Sequence, residues 1–307
     1  MLTTCCLLIM AMYLDIFGFS VVMPAVACDM ALTTSQQGLL SAVPLVGVMI
    51  SSYGWGLCAD TKGRRPTLLV AMPVGFVLNL AASMAPNYTS LAILKFFSAT
   101  FTSSANAAAF VLLAESVPTR HRSRFMFLMA SATMVVQFII CAFALPVFSL
   151  SFRHEISWLN MQYRPWRLLM QIISMPGGLG ILCLLFLRES PKFLLSKERN
   201  DEALEVSYVY LDGNVNFDSL DIYVDEPLAN NTETSLLKKI WNQTAPLFKP
   251  PLLKNSAILY YILLCAYMTS TGYTMWVPTM TNAYFTGEDN SGRTFCEVAS
   301  QSATSSI

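Results

Sequence analysis

The sequence predicts an all-α membrane protein that crosses the bilayer several times, and three observations carry that expectation. Apolar residues make up 54% of the 307 and charged residues only 12%, with a mean hydropathy of +0.51. That leaves too little polar surface to coat a water-soluble globule of this size. Long stretches carry no charge at all, and a bilayer core of about 30 Å needs about 20 helical residues to cross. Runs of about ten residues with period-2 alternation, the sign of a membrane barrel, do not occur.

Seven stretches have the length of a spanning helix: 3–27, 38–59, 67–86, 90–114, 125–150, 168–187 and 256–280. The first lacks a basic leader and is too long for a cleaved signal, so it reads as a retained span. The second ends in the charged turn Asp60-Thr61-Lys62-Gly63-Arg64-Arg65, and the third begins beyond it. The fourth holds the small polar run Ser98 to Asn106, which suits close helix packing. In the sixth, Gly177-Gly178-Leu179-Gly180 follows Pro176 and reads as a kink or packing site rather than a phosphate cradle. Trp276 stands near the outer end of the seventh, where an interface anchor belongs.

Between the sixth and seventh spans the segment 189–254 is soluble. Ser190-Pro191 places an N-cap serine before a proline at the first helical position. Asn200-Asp201-Glu202 starts a second short helix with Leu204, Tyr208 and Leu211 on one face. Leu236, Leu237, Ile240 and Trp241, beside Lys238 and Lys239, predict a third, interfacial helix. The expected organisation is therefore a six-span bundle (1–188), a loop with short helices (189–254), a seventh span (255–280) and the start of an outer segment (281–307).

Charge sets the orientation. Of the 19 lysines and arginines, Arg153, Arg164, Arg167 and Arg293 fall on one side and all the rest, Lys95 apart, on the other. Basic loops stay cytoplasmic, which puts the amino terminus inside and the segment after span seven outside or luminal. The sequons at Asn230 and Asn242 then lie on the cytoplasmic side, and that at Asn87 lies tight against the membrane; all are expected to be unmodified. The eight cysteines have no C-x-x-C pair and read as small apolar core residues. His121 and His154 fall on opposite sides and cannot share a metal. GxxxxGK[ST], HExxH and GxSxG are absent, and the basic residues lack an interleaved aromatic platform. No enzyme, metal site, cofactor or nucleic-acid partner is expected.

Three charged patterns recur at the cytoplasmic ends of spans. Gly56 to Arg65 fits G-x-x-x-D-[RK]-x-G-[RK]-[RK] except at Thr61; Glu115, Pro118 and Arg122 form E-x-x-P-x-x-x-R; and Arg188-Glu189-Ser190-Pro191-Lys192 follows span six. In that order they resemble the major facilitator superfamily, the last being similar to the P-E-S-P-R sequence of sugar porters. The spacing of Asp15 to Pro24 and of Lys95 to Glu115, Tyr163 to Arg167, Glu189 to Leu195, and Gly272 to Pro278 resemble the synaptic vesicle glycoprotein 2 family.

The resemblance implies the amino-terminal six-helix bundle of that fold plus a seventh helix, with the second half absent from this chain. It implies alternating-access transport of a small solute, an organic ion or a sugar-like molecule, with or without protons, across a plasma or vesicle membrane. The alternative it leaves open is a vesicle membrane glycoprotein that works through protein partners and transports nothing. Gly56, Asp60, Gly63, Arg64, Arg65, Glu115, Pro118, Arg122, Glu189, Ser190 and Pro191 would gate the cytoplasmic face.

Asp15 and Lys95 are the two charges inside the predicted spans, where each costs about 2.5–3.5 kcal/mol and is usually functional or paired. The resemblance makes them a substrate- or proton-binding pair, with Asn106 as a further candidate. For Lys95 a second reading stays open: its ammonium snorkels to the headgroups.

Overall fold

The computed structural model describes residues 1–117, 119–150, 152–156, 161–197, 199, 201–203, 205–206, 245–250 and 252–286. Helices α1 (Leu2–Met30), α2 (Thr34–Lys62), α3 (Arg64–Ser83), α4 (Tyr88–Thr102), α5 (Ser104–Ser116), α6 (Thr119–Phe148) and α7 (Pro165–Leu185) form the bundle. They are followed by α8 (Pro191–Ser196), a 3-10 turn at Ala245–Phe248 and α9 (Leu253–Thr286). Among the described residues, six spans are long and apolar enough to cross a membrane, α4 and α5 together making one.

α1 is the central helix. Of its most apolar window 61% is buried, against 17% for α2 and 22% for α6. It packs closest on α7, because the glycines of α7 remove the side chains that would hold the two apart: a Cβ at Gly177 would lie 3.0 Å from Ala11, and one at Gly180 3.2 Å from Leu7. The small-residue stripe in the sixth span is thus a packing surface.

Two apolar cores stack along the bundle. One joins Leu8, Met12, Leu68, Ala108, Leu112 and Leu184; the other joins Phe19, Met23, Leu91, Ile140, Trp166 and Met170. Asp15 lies in α1 between them, at the waist.

Four differences from the sequence reading have physical causes. The fourth span is two helices broken at Ser103, not one. There Ser103 Oγ donates back to the Thr100 carbonyl (2.8 Å), which also takes the Trp55 indole N–H (2.6 Å), and such back-bonding bends helices. Second, Cys5 is buried, but Cys28, Cys141, Cys183 and Cys265 are exposed on the bundle's outside, so these four are not core residues. Third, a two-stranded antiparallel ribbon, β1 (His154–Ile156) with β2 (Met161–Tyr163), connects α6 to α7. Fourth, α9 contains the expected seventh span, runs on to Thr286 and packs on α1. Its tyrosines, threonines and serines keep it out of the set of six most apolar helices.

Ser190 caps α8 through the Phe193 N–H, as its place before Pro191 predicts. Residues 201–203 and 205–206 are helical, with Ala203 and Val206 packed on Leu194. Leu204, Tyr208, Leu211, the third short helix, the sequons at Asn230 and Asn242, and Pro118 lie outside the described residues.

Candidate functional site

Asp15 and Lys95, 80 residues apart in the chain, meet at the waist of the bundle. Both are sealed from the surface, at 4% and 2% exposure, which rules out snorkelling in this structure. Lys95 Nζ donates to Asp15 Oδ1, to the Asp15 carbonyl (3.3 Å) and to Asn79 Oδ1 (3.0 Å). Three protons thus find three acceptors, the condition for an ammonium to persist in a dry interior. The ring of Phe19 lies 4.7 Å from the same nitrogen and adds a cation–π contact. On the other carboxylate oxygen, Asp15 Oδ2 accepts from Ser98 Oγ at 3.0 Å, with Thr102 Oγ1 at 3.5 Å.

Asn79 on α3 is held in turn. Its amide nitrogen donates to Ser174 Oγ on α7 (2.9 Å), and Ser174 donates to the Met170 carbonyl (2.7 Å). This fixes the amide so that its oxygen faces Lys95. The pair therefore ties four helices, α1, α3, α4 and α7, at one level.

A second cluster closes the Arg64 end of the bundle. Arg64 reaches Glu115 (3.0 Å) and Asp60 (3.3 Å) and lies over the Phe193 ring. Glu189 accepts the backbone N–H groups of Arg64 (3.2 Å) and Arg65 (3.1 Å), a carboxylate at the positive end of α3. Arg65 donates to the Leu185 carbonyl at the negative end of α7 (3.0 Å). Ser190 Oγ donates to Glu115 Oε2 (2.6 Å), so the three charged patterns close into one network.

Gly63 makes this possible. Its φ is +107°, and a Cβ there would stand 2.5 Å from Glu189 Oε2. Arg122 stands half-buried in the first turn of α6. Gly56 and Asp60 face a cavity of about 410 Å³ between α2 and α5, which Ser52, Tyr53, Ser103 and Asn106 also line. Asn106 is thus separate from the ion pair and belongs to the cavity wall.

A third cluster, at the opposite end, centres on Asp29. It pairs with Arg164 (2.8 Å), accepts the Trp166 indole N–H (2.9 Å) and lies 3.9 Å from Arg167. Buried Arg167 donates to the carbonyls of Ser83 (2.9 Å) and Ala85 (2.7 Å) and stacks on Trp166. Tyr163 donates to Gln171 Oε1 (2.7 Å); burial pushes its phenol up, opposed by the Arg167 guanidinium, so it remains a donor at neutral pH.

Residues 5–294 match the Major Facilitator Superfamily. The chain belongs to that superfamily. It is 29% identical over 193 residues to organic cation/carnitine transporter 7 of Arabidopsis thaliana, an alignment covering 63% of this chain and 36% of the relative. It is 25% identical over 210 residues to synaptic vesicle glycoprotein 2C of Mus musculus, covering 67% and 28%. Among solved structures it resembles the xylose transporter XylE from E. coli in a partially occluded inward-open conformation. That match has a TM-score of 0.68 and 15% identity over 91% of this chain and 65% of that one. The chain thus spans about a third or less of the two curated relatives.

In this superfamily member, sequence reasoning passed over several residues that the site uses. Asn79, Ser174 and Gln171 are neutral and have no motif around them. Ser98 was visible only as one of a run of small residues, although it stands three positions from Lys95 and so on the same helical face. Asp29 bounds an uncharged stretch, and the nearby Tyr163-Arg164-Pro165-Trp166-Arg167 pattern held its partners.

Proposed function

We propose that the chain is part of a transporter that moves a small solute across a membrane by alternating access, with Asp15 as the group that couples proton binding to movement. The observation that carries this reading is the Asp15–Lys95 pair, buried at mid-depth between α1 and α4. A charge pair at the waist of a helical bundle is costly to maintain and usually marks an ion or substrate pathway.

The Arg64–Glu115–Glu189 network would lock the cytoplasmic face, and the cavity lined by Asn106 would be part of the solute path. The basic ends of the helices support an amino terminus in the cytoplasm. Similarity to a transporter named for organic cations and carnitine, and to a xylose transporter, supports a small organic ion or a sugar as the solute class.

The test is uptake into proteoliposomes holding this chain. Labelled carnitine, an organic cation and xylose would be offered with and without an inward acid gradient. Uptake above empty liposomes, lost in Asp15→Asn, is the expected result. Uptake equal to that of empty liposomes for every solute overturns transport by this chain. It would favour a second reading, a membrane protein acting through protein partners, which the similarity to synaptic vesicle glycoprotein 2C supports. Unaltered uptake in Asp15→Asn overturns the coupling role.

A further inference from the structure

Resting on the reading of Asp15 as a proton-binding group, we propose that Ser98 is a positioning residue whose hydroxyl turns between two acceptors, pairing the Asp15 carboxyl in both of its protonation states. Ser98 is fully buried, and its Oγ lies 3.0 Å from Asp15 Oδ2 and 3.2 Å from the carbonyl oxygen of Gly75 on α3. A hydroxyl has one proton to give and lone pairs to receive. It can donate to one of those oxygens at a time.

The two states then balance. With Asp15 ionised, Ser98 donates to Oδ2. With a proton on Oδ2, the carboxyl O–H donates to Ser98 Oγ, and the Ser98 proton turns to the Gly75 carbonyl. The incoming proton is supplied by water when the bundle opens, no covalent bond other than O–H forms or breaks, and every donor is paired before and after.

The rest of the site singles out Oδ2. Oδ1 is taken by the Lys95 ammonium, whose other two protons are held by the Asp15 carbonyl and Asn79. Lys95 can therefore keep its charge while Oδ2 gains a proton. Thr102 is a poorer partner: it stands 3.5 Å from Oδ2 but 3.0 Å from the Ser98 carbonyl of its own helix. The groups facing Asp15 are charged Lys95 from α4, neutral Ser98 and Thr102 from the same helix and, beyond Lys95, neutral Asn79 from α3, itself held by Ser174 from α7. In a volume closed to water, a carboxyl that gained a proton with no acceptor nearby would leave it unpaired, which the low dielectric makes costly.

Difference infrared spectroscopy of the chain in lipid nanodiscs, titrated with pH, tests this. The protonated-carboxyl C=O band that disappears in Asp15→Asn reports the state of Asp15. In Ser98→Ala that band should move to higher frequency, because the acid proton has lost its acceptor. The midpoint should move by less than about one pH unit, because both states lose a partner. A band at the wild-type frequency overturns the proposal. So does a midpoint displaced by about one to two pH units, wherever the band lies, the effect of losing a donor to the anion alone. Should the alanine variant not fold, Ser98→Cys, with its weaker acceptor, should give a smaller displacement in the same direction; none would overturn it. If no band is lost in Asp15→Asn at any pH, the proton-coupling reading fails and this inference fails with it.

Discussion

Lys95→Met should unfold the protein far more readily than a change at one side chain suggests, and the double variant should repair it. In Lys95→Met the Asp15 carboxylate keeps Ser98 and the distant Thr102, while Asn79 Oδ1 loses its donor. Both members of the pair are almost wholly buried, at 4% and 2% exposure, so solvent offers little screening. Removing one partner of a buried pair costs about 3–5 kcal/mol, whereas replacing both by neutral groups of similar shape is close to neutral. At about 2 °C per kcal/mol for a chain of this size, Lys95→Met and Asp15→Asn should each lower the melting temperature by roughly 6–10 °C. Asp15→Asn/Lys95→Met should fall within about 2 °C of wild type. Thermal unfolding followed by tryptophan fluorescence in detergent measures all four proteins. Single variants that shift by less than about 2 °C, with additive effects in the double, would be the signature of an exposed pair worth about 1 kcal/mol or less. That result would refute the buried geometry.

The Arg64 network yields two further expectations, read by the same unfolding assay. Gly63→Ala forces a side chain into a φ of +107° and against Glu189 Oε2, and should cost about 1–3 kcal/mol, with wild-type stability contradicting the tight turn. Glu189→Gln keeps the shape but removes the charge that accepts the α3 backbone N–H groups, and should cost about 1.5–3 kcal/mol; a loss below about 0.5 kcal/mol would show that those bonds are not made.

Sequence made the membrane helices legible because the signal is one-dimensional: lipid excludes charge, so the spans are the gaps between charges. Gly63 and Ser190 were legible for a similar reason, since a turn glycine and an N-cap serine act within a few residues of themselves. The break at Ser103 was not. It depends on Trp55, 45 residues from the carbonyl it occupies, and an uncharged run of small residues reads equally well as one straight helix. The exposed cysteines failed for a different reason: in a bilayer an apolar residue is equally comfortable facing lipid or core, so hydrophobicity loses its power to sort inside from outside. Asp15 and Lys95 were visible as anomalies, but their pairing is a fact of packing. Asn79, which completes the lysine's set of acceptors, sits 16 residues before it on another helix.

The hydrogen bonds around the pair limit what it can bind. Every proton of the Lys95 ammonium has an acceptor within the protein, Asp15 Oδ1 is occupied, and Oδ2 is filled by Ser98. A solute or a water molecule therefore finds no unpaired proton on Lys95, and it must displace an internal partner to accept from the ammonium. Two of the helices around the pair are also joined at both of their ends. α3 and α7 are joined at one end through Glu189 and Arg65, and at the other through Arg167 and the Ser83 carbonyl. α4 differs, because its continuation into α5 is interrupted at Ser103, eight residues from Lys95 and one from Thr102. The break at Ser103 therefore lies beside the residues that α4 brings to the pair, while Trp55 on α2 and the Gly75 carbonyl on α3 hold that helix in place through Thr100 and Ser98.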